Sequence, residues 1–371
     1  MFAVAALLAA TLVAPGTPAT PMRTAVTDLH AIGISGVQGN ALLEGRTTRA
    51  RAGFGDLGRK TPVPWDGYFR MGSNTKTFTS VVLLQLVGEG RLSLDDTVEK
   101  RLPGVVTGNG NDGRRITVRQ LLQHTSGIYD YTRSLETVAS YDGYLAHRFD
   151  HYEPRDLVAL AMKNPPNFTP GTSWDYSNTN YILAGMIVER ITGRPWASEV
   201  RDRILRPLGL THTSDPGDRA SLPRPHAKEY QQWAPDGPLT DTTLFNPTAA
   251  GAAGALVSTP SDLVRFWAAL QQGRLLRAPE MAEMHKTVLA TTWQDYSPGV
   301  RYGLGIEFYP NRCGGYWAHG GDVLGVHTAN GVTTNGKRVV VLSLTTQLAS
   351  SSTAVTDRIS RAIDDVLCGP A

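Results

Sequence analysis

Gly72-Ser73-Asn74-Thr75-Lys76-Thr77, followed by an apolar run over 78–87 and by Gly88 and Gly90, is the stretch that decides how this chain is read. The run reads as a buried helix with glycine as its stop signal. Ser73 then stands at or just before the first turn, and Lys76 falls one turn later on the same face, amine near hydroxyl. A helix N-terminus also aims free backbone N–H groups at whatever Ser73 attacks. A nucleophile, a proton acceptor and part of an oxyanion hole are the parts of a covalent hydrolase site. Ser-x-x-Lys alone is a weak signal, because a capped helix with a surface lysine spells the same letters.

Upstream, 23–29 reads as a short helix, and 32–38 and 49–55 read as hairpin strands. A Pro-rich loop over 61–67 enters the Ser73 helix. Downstream, Thr117 and Gln120 have capping-box form, opening a helix through Leu121, Leu122 and His124 with Gly127 as its stop. His124 sits among capping residues and is read as structural. Tyr176-Ser177-Asn178 leads into Tyr181, Ile182, Met186, Ile187 and Ile191, an apolar face at helical spacing. Tyr176 and Asn178 thus lie on a loop pinned to a helix start, a placement that projects side chains into a cleft. Residues 211–250 read as long loops, and Thr259 with Pro260 begins another helix. Strands follow at 302–308, 316–319, 323–329 and 338–346, then a helix over 353–367. The expected fold is α+β: a central antiparallel sheet from both termini, flanked by helices, with an inserted all-α subdomain. The α/β part is expected at about 23–80 and 250–371, and the helical part at about 81–249.

The chain has 371 residues, 41% hydrophobic and 19% charged, with a net charge of +3. That is ample core material for a globular protein and no footprint for nucleic acid. The apolar stretch 2–13 is too short to span a bilayer, and small residues over 14–19 follow it, so 1–22 is expected to be an export leader and the protein secreted. No Lys or Arg precedes that stretch. Cys313 and Cys368 are then expected to form a disulfide. His147 and His151 have the spacing of two metal ligands on one helical face, yet no third ligand accompanies them and no metal is expected.

His319-Gly320-Gly321 ends a strand, where glycine lets a ligand backbone approach closely. Taken as a set, Ser73-x-x-Lys76, Tyr176-x-Asn178 and His319-x-Gly321 resemble the serine β-lactamase and penicillin-binding family. The likeness is greatest to class C β-lactamases and the secreted D-alanyl-D-alanine carboxypeptidases of actinomycetes. It extends over 69–76, 121–128, 176–185, 302–305 and 313–325, and covers roughly 26–369.

The resemblance implies an acyl-enzyme on Ser73, with Lys76 and Tyr176 sharing the proton work. An ordinary lysine, with a pKa of about 10.4, is almost never neutral at pH 7, so either Lys76 is lowered or Tyr176 takes the proton. Asn178 would bind the substrate amide, with His319, Gly320, Gly321 and Asp322 along the substrate. Backbone N–H groups of Ser73 and Asp322 would form the oxyanion hole, and His319 would help orient the Tyr176 hydroxyl. No cofactor is implied. The expected partners are a small-molecule, peptide or ester substrate, including peptidoglycan stem peptides and β-lactams. Nucleic acid and a stable membrane span are not expected, and the chain is expected to be a monomer.

A D-alanyl-D-alanine carboxypeptidase is the leading expectation. The alternatives are an esterase, a D-amino-acid amidase or a β-lactamase of the same fold, or a penicillin-binding sensor that acylates and stops. One departure matters. Carboxypeptidase relatives carry Thr around positions 320 and 322 and Arg near 307, to hold a terminal carboxylate. Here Asp322 and Glu307 are acidic, which disfavours a carboxylate unless Arg301 or Arg312 compensates.

Overall fold

Thr20 accepts a hydrogen bond from the backbone N–H of Arg23 and so caps the first helix, α1 (Pro21–Ala31). Proline in its first turn fits a position whose N–H has no helical partner. Met22, Ala25, Val26 and Leu29 form its buried face. The computed structural model describes residues 20–349 and 353–369. Most of the expected leader, 1–22, therefore lies outside the described residues, while Pro21 and Met22 open α1.

The main sheet has ten strands from the two ends of the chain: β1 (Gly36–Leu43), β2 (Arg46–Asp56), β3 (Thr61–Pro62), β4 (Val288–Leu289), β5 (Arg301–Tyr302), β6 (Glu307–Tyr309), β7 (Tyr316–Ala318), β8 (Gly321–Val323), β9 (Val326–Val332) and β10 (Arg338–Leu344). Their order is β4-β5-β6-β7-β9-β10-β1-β2-β3, with β8 paired to β9, and the pairings are antiparallel. The expected central antiparallel sheet flanked by helices is what the chain builds.

Register differs from the sequence reading at the first hairpin. Its strands run later and earlier than 32–38 and 49–55, because Glu44 and Gly45 both take positive φ (49° and 83°). That is the signature of a tight turn matched to strand twist. The expected strand over 302–308 is broken into β5 and β6. At Gly305 (φ +73°) a Cβ would lie 2.0 Å from Ser80 Oγ, so the backbone turns there to lie against the Ser73 helix. The 323–329 strand is likewise split between β8 and β9 by a turn at Leu324 and Gly325.

Helices cover both faces. α1 and α5 (Thr353–Cys368) close one face over Val37, Ala41, Val340, Leu342 and Leu344. Against the other face, Val339 and Val341 join a larger core with Leu263, Phe266 and Trp267 of α4 (Pro260–Gln271) and the apolar residues of α2 (Asn74–Gly88). Alternate residues of β10 thus serve two cores, so its sequence is apolar without alternation. α3 (Asn178–Thr192) lies beside α2. Cys313 and Cys368 form a disulfide that ties the loop before β7 to the end of α5.

Candidate active site

Ser73 is the N-cap residue of α2, with Lys76 buried one turn on. Lys76 Nζ is 3.0 Å from Ser73 Oγ, 2.7 Å from Asn178 Oδ1 and 2.8 Å from the Ala253 carbonyl. It also lies 4.8 Å from the Tyr176 ring centroid. Burial lowers the Lys76 amine to about 7, against the pull of Asp130 and Glu307. Asn178 donates to Asp130 Oδ2 at 3.0 Å, which fixes its carbonyl toward Lys76. Burial holds the Tyr176 phenol well above its usual value, against a smaller lowering influence of Ser73, hence protonated. Ser73, Lys76, Tyr176 and Asn178, up to 105 residues apart in sequence, therefore meet at one point.

The sheet supplies the opposite wall through β8. A Cβ on Gly321 would lie 2.1 Å from the Met71 carbonyl oxygen, and one on Gly72 would lie 2.9 Å from Asp322 N. Two glycines thus let β8 press against the residues before Ser73, bringing the Asp322 amide beside the helix start. Asn330 reinforces the contact: its Nδ2 donates to Asn74 Oδ1 (2.6 Å) and to the His319 carbonyl (2.7 Å), and its Oδ1 accepts from His319 N (3.1 Å).

The His319 ring sits 2.8 Å from Tyr302 Oη through Nε2 and 2.8 Å from the Gly320 carbonyl through Nδ1. Glu307 Oε1 also lies 3.5 Å from its Nδ1; the His319 and Tyr176 rings are 6.4 Å apart between centroids. His124, read from sequence as structural, is buried against the Tyr176 ring at 4.2 Å. Asp175 N donates to its carbonyl and Ser177 N to its Nδ1, so it grips the loop on both sides of Tyr176. Tyr302 and Asp130 were not singled out by sequence reasoning. The one available signal was that Tyr302 begins a stretch of family likeness.

The cleft is lined by Ser73, Tyr176, Asn178, Trp293, Tyr296 and the acidic pair Glu307 and Asp322. Glu307 is buried, and burial raises its carboxyl to about 7. It accepts from Tyr309 Oη at 3.0 Å and Gly320 N at 3.4 Å. The Asp322 side chain is 67% exposed and accepts from His327 Nδ1 (2.7 Å) and Gln347 Nε2 (2.8 Å). Arg301 is held by Thr287, and Arg312 by Asp365 and the Gly369 carbonyl. Neither approaches the acidic pair as the sequence reading required.

His147 and His151 turn to separate carboxylates, His147 to Asp150 and Glu136, His151 to Asp218 and Glu153. Among the described residues no group of three His, Cys, Asp or Glu side chains is placed to hold a metal, and no helix is long and apolar enough to cross a membrane.

The Beta-lactamase family model matches residues 22–364. The chain belongs to the β-lactamase family. Among solved structures, it resembles a D-stereospecific amidohydrolase from Streptomyces sp., with 41% identity and a TM-score of 0.86 over 95% of this chain and 99% of that one. It also resembles a D-amino acid amidase from Ochrobactrum anthropi SV3 solved with L-phenylalanine, with 27% identity and a TM-score of 0.81 over 93% and 98%. Penicillin-binding protein 4 of Amycolatopsis lactamdurans is 32% identical over 259 residues, 67% of this chain and 65% of that protein. Protein flp of Staphylococcus aureus is 33% identical over 162 residues, 44% of this chain, and the match spans about a third (31%) of that protein's length. The chain therefore carries the serine-hydrolase fold of this β-lactamase family.

Proposed function

We propose that this protein is a serine amidohydrolase that transfers the acyl group of a D-amino acid amide with a free α-amino group onto Ser73, and then to water. The observation that carries the choice is the acidic cleft: Glu307 and Asp322 line it, with His327 as the partner of Asp322, while Arg301 and Arg312 are committed elsewhere. Two full like charges 4 Å apart repel by about 4 kcal/mol at an effective dielectric of 20; with Glu307 raised to about 7 and Asp322 paired to His327 the effect is smaller, and its sign disfavours a terminal carboxylate and favours an ammonium. The D configuration rests on the names of two relatives of matching length, a D-stereospecific amidohydrolase and a D-amino acid amidase.

The steps follow from the side chains. Ser73 Oγ attacks the amide carbon while its proton passes to neutral Lys76. The oxyanion faces the backbone N–H groups of Ser73 and Asp322. The C–N bond breaks, and the amine leaves with a proton relayed by Tyr176. Water then attacks the ester, and Ser73 regains its proton. The disulfide supports an oxidising, extracytoplasmic site of action.

The test compares D-phenylalanine amide with its N-acetyl derivative and with an N-acyl-D-Ala-D-Ala peptide. The free-amine amide should turn over, and acetylation should lower kcat/KM by about tenfold or more, the weight of one charge-assisted hydrogen bond. Preference for the carboxylate-terminated peptide would favour a carboxypeptidase instead. Stoichiometric acylation without turnover would favour a sensor. Ser73→Ala should abolish both acylation and turnover.

A further inference from the structure

Behind the cleft runs a chain of hydrogen bonds with a fixed direction. At one end, Ser177 N lies 3.2 Å and Asn180 Nδ2 3.1 Å from His124 Nδ1. A backbone N–H can only donate, so that nitrogen accepts and the His124 proton sits on Nε2. At the other end, His319 Nδ1 faces the Gly320 carbonyl at 2.8 Å, which can only accept, so His319 carries its proton on Nδ1. Between them stands one hydroxyl, Tyr302 Oη, 3.2 Å from His124 Nε2 and 2.8 Å from His319 Nε2. It accepts from the first ring and donates to the second. All three side chains are essentially without solvent exposure. Burial, then the Lys76 charge, lowers both imidazoles, His319 to about 3, so both are neutral at working pH.

The two ends of this chain are parts of the site. His124 grips the loop on both sides of Tyr176 through Asp175 N and Ser177 N. The Gly320 carbonyl precedes Gly321 and Asp322, whose amide is brought to the start of α2. We propose that Tyr302 is a positioning residue: its hydroxyl bridges His124 and His319, whose opposite tautomers are set by their Nδ1 partners, and so fixes the Tyr176 loop relative to the Asp322 amide. Its catalytic consequence rests on the hydrolase reading above. The tautomer assignment does not.

The experiment is nitrogen-15 NMR of histidine-labelled protein, with turnover of a D-amide in parallel. In the wild-type protein His124 should be the Nε2–H form and His319 the Nδ1–H form. In Tyr302→Phe, His124 Nε2–H loses its acceptor and His319 Nε2 its donor. Both rings should keep the tautomers set by their Nδ1 partners while their Nε2 signals shift, and kcat should fall by about tenfold to a hundredfold with KM little changed, the loss expected of a misplaced reacting group. Wild-type rings sharing one tautomer would overturn the proposal even if the variant failed to fold. So would a folded variant with kcat intact. Wild-type protein that turns over no amide would overturn the hydrolase reading and leave the tautomer assignment to be judged by the spectra.

Discussion

Lys76 Nζ has three partners, and their chemistry explains how one geometry serves two protonation states. As an ammonium it donates to Ser73 Oγ, Asn178 Oδ1 and the Ala253 carbonyl. As a neutral amine it has two N–H groups and a lone pair. Asn178 and Ala253 can only accept, so the lone pair must face Ser73, where it receives the hydroxyl proton. The Tyr176 phenol, held protonated by burial, is not a base in the free enzyme. With Lys76 lowered to about 7, kcat/KM for a D-amide should rise with pH through about 7 and fall again above about 8, where the substrate's α-ammonium loses its proton. The sign of the rise follows because the Lys76 ammonium, dominant below 7, has no lone pair. Glu307 is raised to a similar value, so the profile should be measured again in Glu307→Gln. The ascending limb should persist there; its disappearance would assign the titration to Glu307.

At the scale of elements, the site depends on how closely β8 lies to the start of α2. Gly321→Ala would push a methyl group to within 2.1 Å of the Met71 carbonyl, a backbone atom that cannot swing away. The strand must shift, taking the Asp322 amide with it. Turnover should fall by about a hundredfold to a thousandfold, as when one oxyanion donor is lost, while thermal unfolding moves by only a few degrees. An unchanged kcat would remove Asp322 N from the oxyanion hole. How much of this was readable in sequence follows from the same contacts. α2 and α3 were legible because an unbroken apolar run and a terminal glycine are local signals. The first hairpin was misregistered because β1 is buried on both faces, Gln38 and Asn40 included, so no in-out alternation marks it. The Tyr302 hydroxyl was invisible because its meaning lies in a partner 178 residues away, and His124 read as structural because the loop it grips is 53 residues downstream.

At the scale of the whole molecule, Arg70 joins the residues entering α2 to the long segment that sequence patterning left as loops. It donates to Glu229 Oε2 at 2.5 Å, with side chains 3% and 1% exposed, and to the Ala220 carbonyl at 2.7 Å. Its guanidinium also lies 4.6 Å from the Phe245 ring centroid. One buried side chain therefore organises three points of the 211–250 region and holds it against the entry to Ser73. Arg70→Met would leave Glu229 buried without its partner and should destabilise the protein by about 3–5 kcal/mol. Replacing both partners, Arg70→Met with Glu229→Leu, removes the stranded carboxylate, and much of that loss should be recovered. Urea unfolding of the two variants against the wild-type protein measures the difference. If the double variant is no more stable than the single one, the loss lies in the hydrogen bonds to Ala220 and the contact with Phe245. Arg70 would then act as a scaffold for the loops more than as a counter-ion.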